Sequence, residues 1–162
     1  MMSTLKVVAI PTKIAELVRS TMLSPGYGHP AHREVAKGYG PCRHCLRDFK
    51  VGEEERILFT YDPFHELGVQ ALPGPVFIHA EECVRYSEDA GFPEDLLARV
   101  LTLDVYGEGR RLVAEEHVTK DELEARVEDF WKMDGVEYIH VRDRSAGCYD
   151  LRLERRGQWG VS

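Results

Sequence analysis

Hydrophobic and polar positions alternate most regularly in the last third of the chain. Leu101, Leu103 and Val105 interleave with Thr102, Asp104 and Tyr106, the period of a strand with one buried face. Gly107 and Gly109 predict a turn, after which residues 111–118 extend again. Thr119 and Glu122 have capping-box spacing, and Leu123, Val127, Phe130 and Trp131 fall on one helical face before Gly135. Residues 136–141 and 148–153 read as two more strands. On the second, strict alternation puts Tyr149, Leu151 and Leu153 on one face and Cys148, Asp150 and Arg152 on the other. The order strand, strand, helix, strand, strand in this C-terminal half predicts an α+β fold: a largely antiparallel sheet with helices packed on it.

The first two thirds are less regular. Residues 5–10 read as a short buried strand, and Thr12 as the N-cap of a helix that carries Ile14, Leu17, Val18 and Met22 at helical spacing. Residues 24–41 contain Pro25, Pro30 and Pro41 with Gly26, Gly28, Gly38 and Gly40, which predicts a long loop. Strands are expected at 56–61 and 76–79, with Pro73, Gly74 and Pro75 marking the turn between them, and a short helix at 95–101 after Pro93. No repeat or low-complexity segment interrupts this pattern. One domain is expected over residues 1–156, with 157–162 a loose tail.

Composition narrows the functional classes. A chain of 162 residues can bury about 70% of its unfolded surface, so its core needs no staple on grounds of size. The 43% hydrophobic and 30% charged residues are those of an ordinary globular protein. A net charge of -7 without a basic patch argues against nucleic acid and anionic membrane surfaces as partners; self-association stays open. Val7, Val8, Ala9 and Ile10 end at Pro11, too short for the core of a signal peptide, and no run approaches the roughly 18 apolar residues of a membrane helix. The expected location is the cytoplasm. In that reducing setting cysteines serve more often as metal ligands or redox thiols than as disulfides.

The four cysteines therefore carry the chemistry. Cys42 and Cys45 form a C-x-x-C, and His79 and Cys83 an H-x-x-x-C. Each pair holds two ligands on a short segment, so only one longer loop must close to assemble four, the number a tetrahedral Zn²⁺ requires. Three thiolates, one neutral imidazole and Zn²⁺ sum to a charge of −1, which Arg43 and Arg85 are near enough in sequence to offset. His44 is an alternative ligand, strained by its place inside the turn. Two other readings stay open. Cys42 and Cys45 could cycle between dithiol and disulfide in a redox or antioxidant protein, although no apolar strand precedes them as in a thioredoxin. Or the cysteines could be structural, with Cys83 a small buried hydrophobe.

Other patterns fail on spacing. His32, Glu34, Pro41, Cys42 and Cys45 spell the H-x-E and P-C-x-x-C of the zinc deaminases, yet only residues 35–40 separate the halves, too few for the intervening structure. His65 and Glu66 start an H-E-x-x-H that Val69 ends, so the metalloprotease helix is missing. His29 and His32 are expected at the surface. Cys148 is expected to be structural, although His140 and Asp143 could approach it across a hairpin.

These residues together resemble a family. Pro41-Cys42-Arg43-His44-Cys45-Leu46-Arg47-Asp48, then Gly52-Glu53, residues 58–64, Gly74-Pro75-Val76-Phe77-Ile78-His79 and Cys83, resemble the bacterial domain-of-unknown-function 1203 family. Ile139-His140-Val141-Arg142, Gly147-Cys148-Tyr149 and Arg155 continue the likeness to the end of a span of about 41–155. Residues 66–72 depart from it, where a shorter connection with proline and tyrosine is expected. The resemblance implies that Cys42, Cys45, His79 and Cys83 belong to one pattern, along with Cys148; it implies no reaction.

The leading expectation is thus a closed structural zinc site, formed by Cys42, Cys45, His79 and Cys83, that pins residues 24–45 onto the sheet, in a protein whose role is binding or regulatory. A redox protein using the C-x-x-C is the first alternative. A zinc hydrolase is the second: three ligands would leave an open position for a water of pKa about 7, with Glu34, Asp62 and Glu81 as the nearest bases in sequence.

Overall fold

The computed structural model describes residues 5–38, 40–63, 74–144 and 147–155. The tail at 157–162, His65, Glu66 and Val69, and the connection at 66–72 lie outside the described residues. In chain order the elements are β1 (Leu5–Val8), α1 (Thr12–Thr21), β2 (His32–Val35), β3 (Glu55–Tyr61), β4 (Gly74–His79), β5 (Leu101–Gly107), β6 (Arg111–Val118), α2 (Lys120–Trp131), β7 (Tyr138–Asp143) and β8 (Tyr149–Arg155), with 3₁₀ turns at Glu94–Leu96 and Glu108–Arg110. Two antiparallel sheets result: five strands in the order β1-β8-β7-β5-β6, and three in the order β2-β3-β4. The expected α+β class is observed.

Alternation builds the larger sheet. Leu101, Leu103 and Val105 of β5 lie on the same face as Ile139 and Val141 of β7, Leu151 and Leu153 of β8, and Leu5 and Val7 of β1. Leu123, Val127 and Phe130 of α2 close this face, each side chain contributing about 1.5–3 kcal/mol before entropy is charged against it. The predicted capping box opens α2, the Thr119 amide donating to Glu122 Oε1 at 3.0 Å. The helix ends at Trp131, before Gly135, which takes φ +83° in the turn to β7.

The opposite face of the sheet is buried and polar. Thr102, Asp104, His140, Arg152 and Glu154 are all buried there. Arg142 Nε donates to Asp104 Oδ2 at 2.5 Å, and Arg152 Nε to Glu154 Oε2 at 2.7 Å, so the charges are paired as burial demands. Tyr106, Tyr138 and Tyr149 pack their rings around His140, with centroids 5.1–5.2 Å away. Burial and the charge of Arg152 lower the His140 pKa to about 3, keeping the ring neutral.

Several expectations are corrected. Residues 24–41 are not all loop: His32–Val35 pairs with β3, an edge strand without apolar alternation and so without a sequence signal. Thr12 is the first helical residue rather than the N-cap, because its hydroxyl is committed to His44 and Pro11 occupies the cap. Leu17 is 45% exposed; Ala15 and Val18 form the buried face of α1, and Ile14 and Met22 pack beside them. Only a 3₁₀ turn at Glu94–Leu96 follows Pro93, since Leu101 is taken by β5. In β8 a register shift between Val141 and Arg142 sets Arg142 opposite Tyr149 and Val141 opposite Leu151. The extra residue, Asp150, breaks the alternation and moves Tyr149 onto the polar face beside His140.

Candidate metal centre

Cys42 and Cys45 sit on a tight turn closed by the bridge between Pro41 and Asp48. The Leu46 amide donates to the Cys42 carbonyl at 2.7 Å, and the Cys42 amide to the Arg47 carbonyl at 2.9 Å. Leu46 adopts φ +61°, costing about 1 kcal/mol in a residue other than glycine, and its side chain is buried in the large core. Three segments hold the turn: Ile10 donates to the Arg43 carbonyl, Arg43 to the Phe77 carbonyl on β4, and Tyr86 to the His44 carbonyl, at 2.9–3.0 Å. His79 ends β4 and Cys83 follows it.

This framework brings the four predicted residues together. One ligand atom from each of Cys42, Cys45, His79 and Cys83 lies within 4.8 Å of every other, a cluster able to hold a metal ion. Cys42, Cys45 and His79 are buried and Cys83 is partly exposed. Cys42 Sγ and Cys83 Sγ are 3.9 Å apart, and Cys45 Sγ is 3.3 Å from His79 Nδ1. The His79 amide donates to Cys42 Sγ at 3.2 Å.

Surrounding groups complete the chemistry. Glu54 Oε1 accepts from His79 Nε2 at 3.2 Å, which fixes the ring and leaves the Nδ1 lone pair for a cation. The Lys50 amide donates to Glu54, which with the His79 contact keeps the carboxylate pKa below its usual value. Burial opposes a charged His79, but hydrogen bonds to the sulfurs of Cys42, Cys45 and Cys83 outweigh it and push the pKa up to about 12. His44 stands behind Cys83: Nε2 is hydrogen-bonded to Thr12 Oγ1 at 2.9 Å, and Nδ1 to Cys83 Sγ at 3.1 Å. Burial, with the charges of Arg19, Arg85 and His79, lowers the His44 pKa to about 4, so the ring stays neutral.

The compensating cations differ from those expected. Arg43 is turned away: Nη2 lies 3.0 Å from Asp150 Oδ1, and Nε and Nη1 donate to the carbonyls of Tyr149 and Pro41. Neither Asp150 oxygen has a well-aligned donor, so the link is electrostatic, and burial pushes the carboxyl pKa up to about 6 despite Arg43. Arg85 donates to the Ala9 and Ile10 carbonyls. Arg19, in the last turn of α1, donates instead to Cys83 Sγ at 3.3 Å and to the His79 carbonyl. Arg47 has its pKa raised chiefly by Cys45. Glu54, Arg19 and Arg47 carry no ligand signature in the sequence. Only the basic last turn of α1 hinted at Arg19, and without the path of the chain it had no target.

The remaining candidates are elsewhere. His32 lies on exposed β2, 3.6 Å from Glu34. Glu34 accepts two hydrogen bonds from Arg56, and Glu81 one from Arg33. His29 stacks on Tyr27. His140, neutral among tyrosines, is unsuited to act as the imidazolium partner of a Cys148 thiolate. A cleft of about 700 Å³ lined by Asp48, Asp95, Arg99, Asp143 and Arg144 opens beside the turn rather than on the sulfurs. No helix among the described residues is long and apolar enough to cross a membrane.

No curated protein and no solved structure matches the chain. A family model described as "Protein of unknown function (DUF1203)" matches residues 39–155, which include the cysteine turn, β4, Cys83 and the bulged strand that receives Arg43. By that match, the chain belongs to the DUF1203 family.

Proposed function

We propose that Cys42, Cys45, His79 and Cys83 bind a structural Zn²⁺, and that the protein acts in binding or regulation rather than in catalysis at this metal. One observation carries the reading: the spacing of the donor atoms. Zn–S of about 2.3 Å and Zn–N of about 2.0 Å in a tetrahedron place sulfurs about 3.8 Å apart and sulfur and nitrogen about 3.5 Å apart. The corresponding separations here are 3.9 Å for Cys42–Cys83 and 3.3 Å for Cys45–His79. The sulfur-rich donor set favours Zn²⁺ over Mg²⁺ or Ca²⁺, which take oxygen.

Four protein ligands close the coordination sphere, as structural sites do, whereas a hydrolytic site keeps a position for water. Glu34 and Glu81, two of the bases considered for such a site, are committed to Arg56 and Arg33. The test is the metal content of protein purified without chelator, with a thiol titration before and after denaturation. The expected result is one zinc per chain, with Cys42 and Cys45 unreactive until unfolding; protein free of metal with fast-reacting thiols overturns the reading.

A further inference from the structure

We propose that the site is peroxide-sensitive: Cys83 is the ligand oxidised first, and the product is a Cys42–Cys83 disulfide with release of the metal. This rests on the zinc reading above and adds regulation to it.

Three observations single out Cys83. It is the one ligand that is partly exposed, while Cys42 is fully buried and Cys45 and His79 nearly so. It lies outside any strand or helix, beside Val84, which is 85% exposed, so solvent reaches this stretch. Its sulfur also accepts from Arg19 Nη2 at 3.3 Å and lies 3.1 Å from His44 Nδ1. A guanidinium in that position stabilises the negative charge that develops on a departing oxygen.

The resolving thiol is already in place. Cys42 Sγ is 3.9 Å from Cys83 Sγ, and a disulfide needs the sulfurs to close to about 2.05 Å. The Cys83 thiolate attacks one oxygen of hydrogen peroxide, the O–O bond breaks, and a sulfenic acid and hydroxide form. The Cys42 thiolate then attacks the sulfenic sulfur, expelling a second hydroxide and forming the S–S bond. Two electrons leave the two sulfurs and reduce one peroxide to two hydroxide ions. Zn²⁺, left with Cys45 and His79, dissociates, since a disulfide is a poor ligand. This pairing crosses from the turn to the segment after β4 and so differs from the Cys42–Cys45 cycle that the C-x-x-C suggests.

The experiment uses full-length, reduced protein whose zinc content has been measured, treated with hydrogen peroxide while a chromogenic chelator reports released zinc and peptide mapping reports the disulfide. One equivalent should be released, with the peptides containing Cys42 and Cys83 cross-linked, and dithiothreitol with added zinc should reverse both. Arg19→Gln should slow release by about tenfold, while Cys148→Ser should leave the rate unchanged. A Cys42–Cys45 link, zinc retained through hours in millimolar peroxide, or wild-type release from Arg19→Gln overturns the proposal. Metal content is read before peroxide is added. Protein without zinc therefore fails the earlier proposal, and zinc protein that resists peroxide fails only this one.

Discussion

The two hydrophobic clusters solve the same problem with different materials. In the larger, leucine, isoleucine and valine from strands β1, β5, β7 and β8 meet the apolar stripe of α2, and regular backbone hydrogen bonding satisfies the main chain. In the smaller, Ile57, Phe59, Val76 and Ile78 of β3 and β4 share the interior with Cys42, Cys45, Phe49 and the buried face of α1. Irregular segments surround it, and side chains hold their backbone: Arg85 takes the Ala9 and Ile10 carbonyls, Arg19 that of His79, and Ser24 accepts from the Thr60 amide. A metal at the cysteine cluster, as proposed, would brace this smaller, three-stranded part, where binding and folding would be coupled.

Cys45→Ser is the sharpest way to break the contrast. Loss of the metal should cost about 5 kcal/mol or more, lowering Tm by roughly 10–20 °C. Hydrogen exchange should show amides of β3 and β4 losing protection while those of β5, β7 and β8 keep theirs; equal loss in both sheets would show that the clusters are one cooperative unit. Asp150→Ala attacks the junction. Leaving Arg43 buried without its partner should cost about 3–5 kcal/mol in urea unfolding, with zinc still bound. Leu103→Ala strikes the larger cluster alone: about 2–5 kcal/mol of stability lost, with metal affinity at the wild-type value.

Smaller effects sharpen the comparison. Glu54→Gln removes the carboxylate that orients His79 and should weaken zinc affinity about 10–100-fold in a chelator competition, leaving the secondary structure intact. His140, on the polar face of the larger sheet, supplies a pH test. Its folded pKa is depressed to about 3, so between that value and about 6.5 the unfolded chain binds a proton that the folded one refuses. Stability from this group is complete above about 6.5 and falls as pH drops. From pH 6.5 to 5.5 the loss should be about 1 kcal/mol. It should be absent in His140→Gln when the two proteins are compared by denaturant unfolding at both pH values.

What could be read from the sequence follows the same division. Alternation in Leu101, Leu103 and Val105 and the Thr119/Glu122 pair located β5 and α2, because a half-buried strand and a capped amphipathic helix write their geometry into residue order. The ligands were legible as C-x-x-C and H-x-x-x-C, since chelation demands short spacing. Glu54, Arg19 and Arg47 were not, because they reach the ligands through tertiary paths of their own. β2 was invisible for lack of an apolar face. Asp150 was assigned by strict alternation, which a single extra residue in β8 overturns; that residue sends the carboxylate to Arg43, inside the cysteine turn itself.

The pairing of β1 with β8 sets an order of events. Leu5 lies opposite Arg155, and Val8 opposite Arg152, so the first described strand pairs with the last described one, a contact of long sequence separation. β5, β6, α2 and β7 can associate through short connections while the chain is still growing. The Arg43–Asp150 contact spans a similar sequence separation, joining the cysteine turn to the same strand, β8. The cysteine cluster, by contrast, draws its four residues from positions 42–83, so the donors that could hold a metal meet over a far shorter stretch of chain than β1 and β8 do.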